Sequence, residues 1–523
     1  MMLTKSQPDE IQSFLSDASY VQGGFAARVV FPESAEELAE IHASATRERT
    51  PVTVSGAGTG TVAGRVPFGG IVLATDKLNH IRRIVRDGVG GHAVAEAGVI
   101  LRDLQRSVES EGLLYAPDPT ERGCFLGGTV ATNASGARTF KYGPTRRYVE
   151  RLKIALATGE VLDLRRGNLY ADSNGRIQVP LSSGGAIEAQ LPSYRMPEVR
   201  KHASGYYVAP GMDVLDLLIG SEGTLGVVVE VEVRLLPKPE GLLSGIVFFG
   251  LEVDLLAFVR EARERSLANR CSSPTVREGV SSPAGLPAVT DNLTTLTGKL
   301  DARALEYFDS ESLGFLRQKY ETVPVGAVGA IFFEQETTAA TEDSLMDEWL
   351  SLLERHHALA DDSWFATNEQ DQAKLREFRH ALPVLMNEWF ARHEQRKVST
   401  DMSVPDEAFA GILRFYHATL RTSDLRYTIF GHIGDNHVHV NILPRNDAEA
   451  TRAREIYLQF VKRAIAVGGT LSAEHGIGKL KREYLRLLYS DDHLREMAAL
   501  KHAFDPAGIL GRGNIFPESL LAQ

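Results

Sequence analysis

The chain has 523 residues, 43% hydrophobic and 24% charged, with a formal net charge of −11. That length exceeds one core and predicts two or three domains. The acidity argues against nucleic acid and an anionic membrane surface as partners, while leaving room for local basic clusters. Two cysteines, Cys124 and Cys271, exclude a disulfide scaffold and a cysteine-ligated iron–sulfur cluster within the chain. The N-terminal MMLTKSQPDEIQSFL has no signal-peptide core, and no segment reaches about 18 uninterrupted apolar residues. The expectation is a cytoplasmic chain without a transmembrane segment, peripheral at a membrane only through a partner.

In chain order, FPESAEELAEIHASATRER predicts a helix capped by Ser34. PVTVSG and GGIVLAT predict strands. Between them, Gly58, Gly60 and Ala63 match a G-x-G-x-x-A dinucleotide fingerprint, but Gly64, Pro67, Gly69 and Gly70 exclude the helix that fingerprint must open. The loop therefore joins strand to strand. Its glycines either bring backbone N–H groups against an anion or form a surface turn. HAVAEAGVILRDLQRSVESEG reads as strand, turn and amphipathic helix. YVERLKIALATGEVLDL reads as a hairpin at Thr158-Gly159, and LIGSEGTLGVVVEVEVRLLPKPE as a glycine turn and a long strand. Residues 165–210 read as a long loop, and PKPEG at 237–241 as a boundary.

Beyond residue 242, GLLSGIVFFG and VGAVGAIFFEQE predict strands. LEVDLLAFVREARERSL and SLMDEWLSLLERHHALA predict amphipathic helices. RYTIFGHIGDNHVHVNILP reads as two strands around Gly434-Asp435, and AREIYLQFVKRAIAVGG as a helix. An α+β unit follows, an antiparallel sheet with helices on one face.

Several separated glycine-rich stretches recur: SGAGTGTVAG, GCFLGGTVATNASGARTFKYG, IGSEGTLGV and, more weakly, HASGYYVAPG and DPAGILGRGN. Each alone reads as structural. Together they imply one extended ligand touching backbone at many points, as a dinucleotide would, and Asn133 can hydrogen-bond a heterocycle edge. No G-x-x-x-x-G-K-[ST] mononucleotide loop is present.

The stretches VSGAGTGTVAGRVPFGGIVLAT, LGGTVATNASGARTFKYG and GSEGTLGVVVEVEVRLLPKP resemble the FAD-binding domain of the vanillyl-alcohol oxidase superfamily. The resemblance is to its group of glycolate oxidase flavoprotein subunits, D-lactate dehydrogenases and D-2-hydroxyglutarate dehydrogenases, and it covers nearly the whole chain. It implies a PCMH-type FAD-binding domain of two subdomains (residues 1–241), an α+β substrate cap (242–470), and a C-terminal segment (471–523) returning to the FAD domain. The first loop, Ser55, Gly56, Ala57, Gly58, Thr59, Gly60 and Thr61, would cradle the pyrophosphate of FAD. Pro117, Gly127, Gly128, Thr132, Asn133, Gly136, Tyr142, Gly143, Glu222, Gly223, Val227 and Asn514 would lie near the cofactor. With no histidine or cysteine in that loop, the flavin is expected to be noncovalent.

A second constellation is FGHIGDNHVHVN with SAEHGIGK. His432 and His439 flank a hairpin turn, and His437 and His439 alternate by two and share a face. Periodicity does not decide which pair binds. Two imidazoles and Glu474 make a common site for zinc or another divalent ion, or alternatively a hydrogen-bonded core cluster. These stretches resemble the paired C-terminal motifs of the same group. The resemblance implies the ligands His432, His439 and Glu474 for Zn2+, Mn2+ or Fe2+, with His475 beside the substrate hydroxyl, Asn441 near its carboxylate and Arg379 binding that carboxylate. Arg376 lies one turn from Arg379. The group has Gly-Asn where this chain has Asn436-His437, so His437 is an extra imidazole.

Chemically, a divalent ion lowers the pKa of a chelated hydroxyl, a histidine takes its proton near neutral pH, and an arginine holds the carboxylate bidentately. Relatives that oxidise 2-hydroxyglutarate carry a lysine where this chain has Ser399, with Lys397 two residues earlier, and a threonine where it has Pro383. Both departures point to a smaller acid such as D-lactate. Electrons would pass to an electron-transfer flavoprotein or another acceptor, and the chain is compatible with a homodimer. The rival readings are a D-2-hydroxyglutarate dehydrogenase, an FAD oxidase of a non-acid alcohol, a flavin-carrying subunit without chemistry of its own and, most remotely, a metal-dependent hydrolase.

Overall fold

A computed structural model of the chain describes residues 2–271 and 299–521. The part of the predicted 242–470 unit at 272–298 and the Cys271 side chain lie outside them. The first sheet has the order Leu3–Lys5, Arg28–Phe31, Ile71–Ala74, Val52–Ser55, with only the first pair antiparallel. Ser34 Oγ accepts the Glu37 N–H at 3.2 Å and caps helix Ala35–Glu48. Leu38, Ile41 and Ala45 of that helix pack with Val30, Val52 and Leu73 of the sheet. The glycine loop after Ser55 carries the chain back so that Ile71–Ala74 lies parallel to Val52–Ser55. No helix intervenes, as the breakers require.

The second sheet is antiparallel, in the order Ile81–Asp87, Gly90–Glu96, Val227–Pro237, Val149–Ala155, Val161–Arg165. Its central strand VVVEVEVRLLP turns Val231 and Val233 into the core. Glu230 and Glu232, of opposite parity, pair with Arg151 and Arg165 at 3.0 Å each.

Two expectations need correction. Residues 165–210 are not one loop: Arg176–Pro180 and Ala186–Gln190 pair as an antiparallel hairpin. Ile177, Val179 and Ile187 bury one face of it. Periodicity there is short and interrupted by Ser182, Ser183, Gly184 and Gly185, so the sequence reads as polar loop. The large sheet, in turn, is covered on both faces rather than one. Its order is Trp364–Ala366, Gly241–Phe249, Gly329–Thr337, Ala302–Asp309, Arg426–Gly431, His439–Leu443, Val398–Ser399, all antiparallel. Val247, Phe249, Ile331 and Phe333 join the core containing Phe258 of helix Glu252–Cys271 and Trp349 of helix Glu342–Arg355. Ile246, Phe248, Ala330 and Phe332, of opposite parity, pack with Leu316 of helix Ser310–Leu316 and Phe378 of helix Glu369–His393. Continuous apolar runs such as GAIFF are what a sheet buried on both faces demands.

The C-terminus runs back to the first sheet. After helix Asp491–Phe504, the Val52 N–H donates to Ile509 O at 2.9 Å and the Gly511 N–H to Val52 O at 3.0 Å. Buried Lys501 fastens the return, its Nζ at 2.9 Å from both Thr224 O and Leu510 O and 2.8 Å from Asp505.

Candidate active site

Strand Arg426–Gly431 passes into a short turn and returns as His439–Leu443. The register pairs Phe430 with His439, which brings the His432 and His439 rings within 5.7 Å, centroid to centroid. Gly431 adopts φ +127°, and a Cβ there would lie 3.0 Å from the His439 ring, so the turn tolerates no side chain. Glu474 arrives from the distant SAEHGIGK turn. Its carboxylate lies 3.3 Å from His432 Nε2 and 3.1 Å from His439 Nε2. The three expected ligands thus converge, although far apart in sequence. Donor atoms of His432, His437, His439 and Glu474 all lie within 4.8 Å of one another. Imidazoles plus a carboxylate, buried and pre-assembled, fit a borderline divalent ion such as zinc, manganese or iron.

The surroundings hold each group in place. His432 Nδ1 is 2.6 Å from Glu306 Oε1. Burial by itself would lower the His432 pKa, but the Glu306 and Glu474 carboxylates outweigh it and push it up to about 9. Burial likewise favours neutral Glu306, yet His432 and Arg379 bring that carboxyl down to about 2. Arg379 donates from Nε and Nη2 to the same Glu306 oxygen, at 3.1 and 3.0 Å. Its Nη1 edge makes no hydrogen bond among the described residues and is free for a ligand carboxylate. Arg376, one turn away and half-buried, has no ion pair or hydrogen bond among them. Asn441 is buried beside His439, its Nδ2 donating to His439 O at 3.3 Å. Its strand neighbour is Ser399. Lys397, of the same parity as Ser399, is solvent-accessible and unpaired among the described residues.

His475 differs from the other imidazoles in being a third exposed, 34% for its side chain. It stacks on His439 at 5.5 Å with 25° between the rings, and its Nδ1 lies 3.3 Å from Asp401 Oδ2. Asp401 is a hub. It accepts the backbone N–H groups of Glu474 and His475 at 3.2 and 3.1 Å, the Ser472 hydroxyl at 2.5 Å and the Lys481 ammonium at 2.5 Å. Burial pushes its pKa up, but His475 and Lys481 hold it well below the carboxylate range.

On the FAD side, the backbone N–H groups of residues 57–61 donate to no acceptor among the described residues. That run of unsatisfied donors fits a pyrophosphate. A Cβ added at Gly60 or Gly128 would meet nothing within 4 Å, so both glycines face open space. Gly127 instead packs against Ala97, where a Cβ would lie 2.6 Å from the alanine methyl. Asn133, at φ 49°, accepts the Arg146 N–H at 2.9 Å on its side-chain oxygen. Thr132 Oγ1 donates back to Gly128 O at 3.0 Å. The Tyr142 hydroxyl bonds Glu336 of the large sheet, and Pro117 O accepts from Gln105 at 3.1 Å.

Two expected cofactor residues also brace the site. Glu222, at φ 53°, accepts the N–H groups of Ile477 and Gly478 at 2.7 Å each, tying the GSEGTLG turn to the segment that carries Glu474 and His475. Asn514 accepts Lys479 Nζ at 2.8 Å and donates to Gly64 O at 3.1 Å.

Sequence reading missed Lys201, Glu306 and Arg65. Lys201 Nζ lies 2.9 Å from Gly136 O and 3.3 Å from Glu474 Oε2, although it sits in the stretch read as loop. Glu306 lies inside an apolar strand, where its parity with Phe308 is the only clue. Arg65 ties the phosphate loop to the N-terminal segment. It donates to Ser55 Oγ at 2.9 Å, Gly56 O at 2.8 Å and Ser16 O at 2.9 Å. Its guanidinium occupies the space a Cβ at Gly58 would need.

Comparison with known proteins gives the family. Residues 26–165 match the FAD binding domain family, and residues 284–515 match the C-terminal domain of FAD linked oxidases. The chain is 30% identical to the D-lactate dehydrogenase of Anaerostipes hadrus, covering 97% of this chain and 93% of that one. It is 28% identical to the glycolate oxidase subunit GlcD of Bacillus subtilis (strain 168), covering 93% and 88% respectively. A solved alkyldihydroxyacetonephosphate synthase shares the fold, with TM-score 0.62 and 15% identity over 93% of this chain and 77% of that one. The chain belongs to the FAD-linked oxidoreductases of the vanillyl-alcohol oxidase superfamily.

Proposed function

We propose that this chain oxidises a small D-2-hydroxy acid of the D-lactate type to its 2-oxo acid and passes the electrons to an electron-transfer flavoprotein or another external acceptor. The observation that carries this reading is the convergence of His432, His439 and Glu474 beside the more exposed His475, in a chain whose first half binds FAD. Noncovalent FAD supplies the hydride acceptor at its N5 atom. His432, His439 and Glu474 would hold a divalent ion, which would supply Lewis acidity to the substrate hydroxyl. His475 takes the hydroxyl proton on Nε2 while Asp401 fixes its Nδ1 side. The free Nη1 edge of Arg379, with Glu306 immobilising the rest of the guanidinium, holds the carboxylate, and Asn441 assists.

Cys124 supports a noncovalent flavin: burial pushes its thiol up to about 12, so it is no nucleophile. Ser399 and Pro383 support a small substrate, because Ser399 offers no ammonium and Pro383 no hydroxyl to a second carboxylate.

The test is the anaerobic visible spectrum of the holoprotein before and after D-lactate, repeated after chelation. Bleaching of the flavin band that chelation prevents is expected. Bleaching by D-2-hydroxyglutarate but not D-lactate would overturn the small-acid reading. Bleaching indifferent to chelation would overturn the metal role.

A further inference from the structure

His432, His439 and His437 each turn one ring nitrogen toward the Glu474 carboxylate. His432 Nδ1 is held by Glu306 at 2.6 Å, leaving Nε2 toward Glu474 Oε2 at 3.3 Å. His439 Nδ1 is held by Thr400 O at 2.9 Å, leaving Nε2 toward Glu474 Oε1 at 3.1 Å. His437 mirrors them with its nitrogens exchanged. Its Nε2 lies 3.1 Å from Asp401 Oδ1, and its Nδ1 faces Glu474 Oε2 at 3.9 Å. A ligating histidine characteristically gives its second N–H to a carboxylate or carbonyl, which fixes the tautomer and points the lone pair at the ion. His432 and His439 meet that pattern through hydrogen bonds, and His437 approaches it, its Nε2 3.1 Å from Asp401 Oδ1 but without hydrogen-bond geometry.

We infer that His437 is a third imidazole ligand, through Nδ1, making the metal centre three histidines and one glutamate. This rests on the metal site of the proposed function and extends it. The His437 side chain has no solvent exposure, and among the described residues neither of its ring nitrogens makes a hydrogen bond. A buried imidazole nitrogen left unpaired is costly unless something occupies it. Its ring centroid is 4.5 Å from that of His439 and 5.3 Å from that of His432, so it flanks the same space as both. The relatives' asparagine at this position would offer an amide instead. A third imidazole would leave one fewer coordination position for water and substrate.

The experiment uses the FAD-loaded protein stripped of metal and reloaded with Cu2+ or Zn2+. Electron spin-echo measurements on the Cu2+ form count coordinated nitrogens, and Zn2+ affinity is read by competition with a chromophoric chelator. His437→Asn and Glu474→Gln are compared, with flavin content as the check on folding. Three imidazole nitrogens in the unaltered protein, two in His437→Asn, and Zn2+ binding weakened at least about tenfold are the expected results. A merely bracing His437 would also weaken Zn2+, but it would not change the nitrogen count. Two nitrogens in the unaltered protein would overturn the inference while leaving the His432–His439–Glu474 site standing, provided Glu474→Gln abolishes binding. Because the unaltered protein alone supplies the count, a poorly folding variant does not block the test. Failure of the unaltered protein to bind either metal would overturn both this inference and the metal site beneath it.

Discussion

Lys201 Nζ lies 3.3 Å from Glu474 Oε2, and the lysine side chain has no solvent exposure. The same ammonium donates to Gly136 O at 2.9 Å and lies 3.5 Å from Asp435 Oδ2. One buried cation thus joins the TNASG loop of the FAD half to the carboxylate of the metal site. It also compensates charge where Glu474, Asp435 and Glu306 crowd together.

Lys201→Met removes that compensation and leaves buried Asp435 without its ion-pair partner. Breaking a buried pair from one side costs about 3–5 kcal/mol. Urea unfolding of the metal-free protein should show a loss of that size at neutral pH. A change under about 1 kcal/mol would mean that the ammonium does not compensate the cluster.

Arg379→Met should lower kcat/KM for the hydroxy acid by roughly ten- to 150-fold, the worth of a charge-assisted hydrogen bond. Arg379→Lys should recover little, because one ammonium cannot satisfy Glu306 and a ligand carboxylate in the planar fork geometry. Steady-state kinetics on D-lactate decide it. Unchanged kinetics in both variants would transfer the carboxylate to Arg376.

Gly128→Leu fills the open space beside the glycine with a side chain that meets no protein atom at its Cβ. The variant should fold with unchanged far-ultraviolet circular dichroism and purify colourless. A yellow variant retaining stoichiometric flavin would show that the cofactor does not pass this glycine.

His42 is fully buried, its Nδ1 2.9 Å from Leu156 O, and desolvation lowers its pKa to about 4. The unfolded chain therefore binds the proton first as pH falls. Stability is complete above about 6.5, the ordinary histidine value, declines toward pH 4 and levels off below it. The loss is of the order of 3 kcal/mol. His42→Asn keeps a donor for Leu156 O without an imidazole, so its urea midpoint should fall less steeply over that window. Parallel slopes for the two proteins would remove His42 as the cause.

Much was legible along the chain because its signals are local. Ser34 before AEELAEIHASATRE marks a helix start through a cap that needs only four residues. The breakers after Gly60 forbid a helix whatever the rest of the chain does. The family resemblance of the motifs marked the FAD domain and implied His432, His439 and Glu474 as ligands, which spacing alone left open. Tertiary structure decided the rest. Whether one or both faces of a sheet are covered depends on distant helices, so the sequence suggests helices on one face only, whereas Phe332 and Phe333 pack on opposite sides. Lys201, Glu306 and Asp401 carry no periodic or spacing signal. Their roles arise only when a hairpin-bearing segment, a central strand and a C-terminal turn meet around Glu474, where burial makes every unpaired charge expensive and so fixes which partners must face each other.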